Sequence, residues 1–472
     1  MTKYSFDKKA KFRGKWYVPG SDEETFGTLR YSPIRISLKT RGDFQRKVGN
    51  RVRSFQHFDL LHGITDDGTK VSLIGVMQNG MKTNSHGTQL AKFNVEVVVV
   101  GCHIASRDDF VVSAMRFGGS TFDWFVFENI PQSKHPDGVK GVEIRYELPP
   151  TRSFRIGSIN SALEIDGSYS SSTRGRFGID LFASYMFRLV PDQPSKFDEA
   201  LTHVMKCCHL ITLFTNYGCV PSWVQARLAD EDRLVSLLFK RHTLPQEDGE
   251  GWLDFLFDLR HIGDKFGPAL DKWLGESATF WNAVYQFIDS RLPKSGDSLE
   301  PRFQMATQLL EAFSRATTSS FYMPPSDYDA VVQALNSHIP ENVTEGHRES
   351  LKKKIYYGNE YSLRKRLTLL LKPLGDECKS LVCNSVSDFI NGTVDTRNCL
   401  VHSSEELSKL ALTHGDMYWA IEKLLMLARI LMLRHVGLKE AEIAQAIDRH
   451  PGISQYKGLW MQHKERIAAH DG

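Results

Sequence analysis

Alternating apolar and polar residues indicate that residues 1–190 form β-structure. Residues 34–38 alternate between the two classes, and the Asp-Asp-Gly run at 66–68 separates two apolar runs. Period two is typical of a strand with one buried face, and Asp-Gly is typical of a hairpin turn. We therefore predict an antiparallel sandwich or barrel-like domain, whose further strands include residues 15–18, 28–31, 93–100, 142–146 and 177–189.

The period of the apolar pattern changes from two to about 3.6 after the polar run at 192–196. Residues 191–296 are predicted to form a mixed, mainly helical connecting region, in which residues 218–240 leave room for two strands. Residues 293–298 contain proline, glycine and polar residues, which interrupt helices, and therefore predict a linker. Residues 297–450 then read as an all-helical bundle, followed by a tail at 451–472. The fold class is therefore α+β, with an antiparallel β-rich N-terminal domain and an all-α C-terminal domain.

Two short helices are predicted near the end of this bundle, at residues 381–390 and 393–402. Asn391-Gly392 would separate them, and Thr393 would cap the second one. The residues from Arg397 to His402 would then lie in the opening turns of a helix. Because free backbone amides at a helix start favour an anion, this placement would help a phosphate to bind.

Composition is that of a globular chain of several domains. The 472 residues are 41% hydrophobic and 24% charged, with a formal net charge of +3. So small a charge argues against a protein that coats nucleic acid, but it permits a local basic site. The first residues lack the apolar segment of a leader, and the apolar run at 424–433 carries Arg429, so we expect no membrane association. Seven cysteines suggest free thiols in a reducing cytoplasm.

No metal site or other cofactor is predicted. The run Cys207-Cys208-His209 has the right residue types for zinc, but adjacent helical cysteines point about 100° apart. No second pair of ligands follows at zinc spacing. Small buried thiols are therefore the favoured interpretation of this run.

The strongest candidate chemistry lies in the run Arg397-Asn398-Cys399-Leu400-Val401-His402. Arginine offers a planar fork of donors to phosphate oxygens, and histidine exchanges protons near neutral pH. Asn398 and His402 are four residues apart, so they share one helix face. A phosphate clamp beside an acid/base is what RNA cleavage requires, because the ribose 2′-hydroxyl can act as the nucleophile without a metal.

Each of these residues also has a structural interpretation. His402 could be a surface histidine, and Arg397 could form a salt bridge to Asp395 or Glu405. Asn398 either orients a phosphate oxygen or serves as a capping or dimer-contact residue. Asp395 could support the site by tethering Arg397 or by fixing the tautomer of a histidine. Alternatively, it is an acid in the first turn of a helix, where it interacts favourably with the helix dipole. Basic residues that could follow an RNA backbone, or form a solvated helix face, are Lys353, Arg364, Lys365 and Arg366.

The chain resembles the HEPN ribonuclease superfamily, whose signature is an arginine, a polar residue, three variable residues and a histidine. Residues 394–402 look like the form found in ApeA-like HEPN domains, residues 303–313 resemble the first helix of that family, and residues 363–367 resemble its basic helix. Residues 27–29 and 63–73 look like the N-terminal domain of ApeA-type anti-phage defence proteins.

This resemblance implies a metal-independent RNA endonuclease of the cytoplasm that acts in abortive infection. The implied catalytic residues are Arg397, Asn398 and His402, in a cleft shared by a homodimer. Attack by the 2′-hydroxyl would leave a 2′,3′-cyclic phosphate and a 5′-hydroxyl. Structured RNAs such as tRNA are candidate substrates, since exposed bases can be read there. The β-rich domain would act as a sensor, with a phage-derived trigger as its candidate partner.

The alternative hypothesis is a non-catalytic HEPN module that dimerises or binds RNA, attached to a β-rich domain that senses a ligand. Intact Arg397, Asn398 and His402 speak against it, because a purely structural bundle needs none of them. RNA cleavage compared between the native chain and Arg397→Ala or His402→Ala discriminates between the two hypotheses.

Overall fold

The computed structural model describes residues 4–42, 44, 56–83, 89–126, 132–134, 143–174, 178–240, 255–290, 298–402, 405–453 and 459. The chain divides into two compact units, Met1–Gly275 and Glu276–Gly472. The first unit is β-rich and the second is helical, as the α+β prediction requires.

Six antiparallel strands of the first unit close into a barrel. Each strand pairs with the next in the order β6-β3-β2-β1-β4-β5, and β5 pairs back with β6 to complete the ring. The prediction of an antiparallel barrel-like domain is confirmed. The barrel strands are β1 (Ala10–Tyr17), β2 (Glu24–Ser32), β3 (Arg35–Arg41), β4 (His57–Thr65), β5 (Lys70–Thr83) and β6 (Gln89–Val100).

Side-chain alternation explains why these strands curve around one core. In β1, Phe12 and Trp16 are buried while Lys11 and Lys15 are exposed, which is the pattern of a strand with one solvated face. The Trp16 ring fits because Gly63 on β4 has no side chain: a Cβ there would lie 2.4 Å from the ring. The predicted hairpin also forms, with Gly68 at φ +78° in the turn between β4 and β5.

The sheet continues beyond the barrel through β6, in the order β15-β14-β7-β12-β11-β10, with β13 beside β7. The two strands foreseen within 218–240 therefore form, and the β-rich unit extends past residue 190. The change of period after residue 196 marks a helix inserted between strands, and not the end of the domain. The further elements of this unit are β7 (Val111–Gly118), α1 (Ser120–Val126), β8 (Gln132–Lys134), β9 (Glu143–Arg145), β10 (Arg152–Ile156), β11 (Ser161–Arg174), β12 (Gly178–Pro191), β13 (Ser195–Lys196), α2 (Phe197–Thr215), β14 (Trp223–Leu228), β15 (Leu234–Phe239), α3 (Leu259–Ile262) and α4 (Phe266–Leu274).

A buried carboxylate stabilises the end of this unit and gives it a pH dependence. Burial acts to raise the pKa of Asp258, but hydrogen bonds from His261 and Arg260 outweigh it and lower the pKa to about 2. We expect Asp258→Ala to lower the free energy of unfolding at pH 7 by about 2 kcal/mol. Because the native pKa lies below the unfolded value, this contribution is present above about pH 4 and fades as the pH falls towards 2. Urea unfolding at pH 7 and pH 3 measures both effects, and an equal loss at the two pH values would contradict the assignment.

The second unit is a helical bundle around the long helix α13. Helices α5 and α13 pack against α6, and α9 and α11 pack against α6 and each other. Its core includes Phe280, Phe313, Leu367 and Leu424, all buried. The bundle consists of α5 (Ala278–Ser290), α6 (Leu299–Thr317), α7 (Pro325–Ser337), α8 (Glu345–Tyr356), α9 (Leu363–Leu371), α10 (Asp376–Val382), α11 (Val386–His402), α12 (Glu405–Ser408), α13 (His414–His435) and α14 (Glu440–Arg449).

Two predicted segments lie wholly or largely outside the described residues, namely the linker at 293–298 and the tail at 451–472. Within the described ranges, no helix combines the length and the apolar character that crossing a membrane requires. All seven cysteines are free thiols, as predicted.

Candidate active site

Helix α11 carries the predicted catalytic residues, and it is one continuous helix. The predicted break at Asn391-Gly392 is wrong, because Thr393 lies inside the helix and donates a hydrogen bond to the Phe389 carbonyl at 2.7 Å. A helical glycine costs only about 1 kcal/mol, so packing of the buried Ile390 and Val394 can outweigh it. Space is also tight at Gly392, where a Cβ would lie 3.1 Å from Leu412.

The true start of α11 lies about two turns earlier than expected for the motif helix, after Ser385. The Ser385 hydroxyl accepts a hydrogen bond from the Asp388 backbone amide at 3.3 Å, as a capping serine does. Serine followed three residues later by an acid was the sequence signal that pointed to this boundary.

As a consequence, the motif lies far from the helix start, in the last two described turns of α11, with His402 as the last residue described. The prediction that amides of a helix start would help to bind a phosphate is therefore wrong. Any phosphate held here depends on side chains, chiefly guanidinium groups.

Arg397 and Asn398 are brought together, whereas His402 is not joined to either. The Arg397 guanidinium donates a hydrogen bond to the Asn398 side-chain oxygen at 3.3 Å. Both residues are half-buried, and His402 is exposed. Among the described residues His402 has no hydrogen-bond or ion-pair partner. Its imidazole is therefore available to a substrate or to another chain.

A polar stripe runs along α11, formed by Asn391, Asp395, Asn398 and His402. Their spacing of three or four residues places them on one face. Arg364 of α9 lies against this stripe, where it donates to the Asn391 side-chain oxygen and forms an ion pair with Asp395 at 3.7 Å. Asp395 therefore pairs with Arg364, and neither of the predicted salt bridges of Arg397 forms among the described residues.

The other predicted basic residues differ in their surroundings. Arg366 is fully buried, and it donates to the Tyr361 carbonyl at 3.1 Å and to the Ser320 hydroxyl at 3.4 Å. Because its guanidinium is buried within the bundle and not presented to solvent, we remove Arg366 from the candidate RNA contacts. Lys353 is exposed. Lys365 lies 5.8 Å above the centre of the Tyr361 ring, within cation–π range.

A group of exposed large apolar side chains near these lysines was missed by sequence reasoning. The segments 320–323 and 359–361 are joined by backbone hydrogen bonds, and the Asn359 side chain bonds to both backbone groups of Met323. On or beside this joint lies what we call the aromatic surface, formed by Phe321, Tyr322, Met323, Tyr356 and Tyr357, which are 37–64% exposed. The sequence contains these residues as the runs Phe-Tyr-Met at 321–323 and Tyr-Tyr at 356–357. The runs alone do not show whether the side chains are buried or exposed.

The run Cys207-Cys208-His209, for which no zinc site was predicted, lies in α2. Burial raises the pKa of the Cys207 and Cys208 thiols and lowers the pKa of His209 to about 4. In the part of the chain that the structure describes, no three His, Cys, Asp or Glu side chains are grouped so as to hold a metal ion.

Comparison with known families agrees with this organisation. The model of ApeA N-terminal domain 1 matches residues 11–273, and the model of the Apea-like HEPN domain matches residues 305–442. No curated protein matches the chain. The second match covers α9 and α11 and supports a nuclease or defence module. The chain therefore belongs to the family of ApeA-type proteins with a C-terminal HEPN domain.

Proposed function

We propose that this protein is a metal-independent RNA endonuclease of the cytoplasm that acts in abortive defence against phage. One observation carries the proposal. Arg397 and Asn398 form a hydrogen-bonded pair at the end of α11, and His402 is exposed and unengaged among the described residues at that same end. A guanidinium, an amide and an imidazole at one accessible helix end are the groups that cleavage of a ribose–phosphate linkage uses.

The proposed reaction is an internal transfer of the phosphoryl group. The ribose 2′-oxygen attacks the adjacent phosphorus and forms a new P–O bond, while its proton passes to an imidazole. The bond from phosphorus to the 5′-oxygen breaks, and that oxygen takes up a proton from an imidazolium. Arg397 holds the phosphate and offsets charge that grows in the transition state, with Asn398 orienting the guanidinium. The products are a 2′,3′-cyclic phosphate and a 5′-hydroxyl.

A homodimer follows from the geometry of this transfer. Attacking and leaving oxygens lie roughly in line on opposite sides of phosphorus, so one imidazole cannot serve both at once. On α11, Arg397 and His402 point about 140° apart and are separated by about 7.5 Å along the axis. A second copy of the chain would supply the second His402 across a shared cleft, in a two-fold arrangement.

The substrate we propose is structured RNA with unpaired bases, such as the loops of tRNA. Unpaired bases stack on aromatic rings, and the aromatic surface offers Phe321, Tyr322, Tyr356 and Tyr357 for this purpose. Lys353 and Lys365 supply positive charge for the backbone. A paired duplex would hide its bases from such a surface.

Arg364 is the contact that connects this basic region to the polar stripe of α11. We expect Arg364→Ala to weaken RNA binding and to lower the slope of log affinity against log salt by about 0.7 to 0.9, the effect of one phosphate contact. Stability should hardly change, because an exposed pair such as Arg364–Asp395 contributes less than about 1 kcal/mol. Binding is measured in a His402→Ala background, which keeps the RNA intact.

The matched control for this measurement is Arg449→Ala, which removes an exposed arginine of α14. An equal loss of affinity in both variants would show that only net charge matters. The assignment of Arg364 to the RNA path would then fail.

The N-terminal domain is proposed to regulate the nuclease, with a phage-derived component as the trigger. The support is that the β-rich unit carries no part of the polar stripe, whose residues all lie in the helical unit. Such a trigger would be found by comparing cleavage by the full chain with and without extracts of infected cells.

The chemistry of the product ends tests the proposal. In EDTA, triggered protein should cut RNA and leave 2′,3′-cyclic phosphate ends, while Arg397→Ala and His402→Ala should leave the RNA intact. Ends that carry a 3′-hydroxyl would point to a metal-type mechanism and contradict the proposal. Equal RNA affinity without cleavage in all three proteins would favour the non-catalytic alternative.

A further inference from the structure

The first unit contains a small cavity between α1 and β12 that the proposed nuclease reaction does not use. It has a volume of about 220 Å³ and is lined by Asp123, Trp124, Tyr146, Phe182 and Tyr185, among others. Pockets for drug-sized ligands have volumes of roughly 300–1,000 Å³. A single ring system with a short substituent is therefore the size of molecule that this cavity admits.

Its most distinctive group is the carboxyl of Asp123. One oxygen accepts a hydrogen bond from the Tyr185 backbone amide at 2.6 Å, which ties α1 to β12. The other oxygen has no partner among the described residues, and none of the described residues that line the cavity is a lysine, arginine or histidine. Burial without a cation raises the pKa of Asp123 to about 7. A carboxylate in such a setting gains most from a ligand that brings N–H donors or a positive charge.

The walls of the cavity suit a flat ring. Trp124 and Phe182 line the cavity and are 37% and 48% exposed, so part of each ring is accessible to a ligand. The hydroxyls of Tyr146 and Tyr185 contact each other at 3.2 Å. Aromatic rings stack on one another and attract a cation through their faces.

We propose that this cavity binds a small molecule made of one flat aromatic ring system with an amino or ammonium group, the ring lying against Trp124 and Phe182 and the nitrogen on Asp123. The structural alternative is that Asp123 only anchors α1 through its bond to Tyr185. That bond engages one oxygen of Asp123 and leaves the second oxygen without a hydrogen-bond partner among the described residues. The inference does not depend on the nuclease reaction, since all of these residues lie in the first unit.

Calorimetric titration of the full-length chain with tryptamine tests this inference. Two matched probes separate the parts of the ligand, because indole-3-acetate keeps the ring and reverses the charge, while ethylamine keeps the charge and lacks the ring. We expect tryptamine to bind at least about tenfold more tightly than either. Binding should also weaken about tenfold from pH 8 to pH 6, because the carboxyl must lose its proton and its pKa is about 7.

Three variants complete the design. Asp123→Asn keeps an oxygen for the Tyr185 amide but removes the negative charge, so it should lose tryptamine binding and its pH dependence. Phe182→Ala, which alters an exposed ring, should weaken binding as well, and Asp22→Asn should change nothing. Failure of tryptamine to bind the native chain, or equal binding by Asp123→Asn or by indole-3-acetate, would overturn the proposal. Because the titration does not measure RNA cleavage, its outcome is independent of whether the nuclease proposal fails.

Discussion

Replacing His402 with alanine should lower the rate of RNA cleavage by about 10²–10⁴-fold, the usual contribution of a general acid or base. RNA affinity should stay almost unchanged, since Arg397, Arg364 and the aromatic surface are left in place. Stability should shift by less than about 0.5 kcal/mol, because His402 is exposed at the end of α11. Single-turnover cleavage with saturating protein separates the loss of chemistry from any loss of binding.

The control is His414→Ala, which removes another exposed histidine of the same unit, the first residue of α13. Its cleavage rate should equal that of the native chain. If His402→Ala cuts as fast as His414→Ala, the imidazole of His402 takes no part in proton transfer, and the proposed mechanism is wrong.

The local pattern of apolar residues predicted the elements well but not their partners. Alternation in residues 34–38 is a property of one strand, and it helped to identify the β-rich unit. Closure of the barrel depends on the pairing of β3 with β6, whose strands lie about 50 residues apart. Nothing local in either strand specifies that pairing.

The burial of Arg366 could have been predicted from the helical period, which separates the side chains of the run Arg364-Lys365-Arg366. Consecutive helical residues point about 100° apart, so the three side chains cannot share a surface. Arg366 lies three residues after Leu363 and four before Leu370, on the apolar stripe of α9. That spacing pointed to its burial. The ion pair between Arg364 and Asp395, in contrast, joins two helices and could not be read from either one.

The residue types of the run 397–402 were enough to identify the motif, but they did not show where in its helix the motif lies. Gly392 suggested a helix boundary because glycine has a low helix propensity, and the motif was placed at a helix start. Tertiary packing of Ile390, Val394 and Leu412 overrides that propensity. The chemistry proposed for Arg397 and His402 does not depend on the position of the helix start. The positive charge that would bind a phosphate comes, however, from guanidinium groups and not from backbone amides.

The dimeric cleft leads to a second strong prediction, that His402→Ala acts as a dominant inhibitor. If each reaction needs two His402 imidazoles on opposite sides of phosphorus, a mixed dimer with one His402 is inactive. With a ninefold excess of His402→Ala over native chains, random pairing leaves about one native chain in ten with a native partner. Cleavage activity per native chain should therefore fall about tenfold. Co-expression of the two chains with different tags, followed by a cleavage assay, measures this fall.

Mixing the two proteins after separate purification, with RNA in excess and under conditions that prevent exchange of subunits, provides the control and should leave the activity per native chain unchanged. The two experiments together separate a shared cleft from competition for RNA, since the variant still binds RNA in both. An activity per native chain that stays constant after co-expression, in dimers verified by light scattering, would mean that each chain carries a complete site. Arg397 and His402 of one chain would then have to contact the same phosphate, although their side chains point about 140° apart on α11.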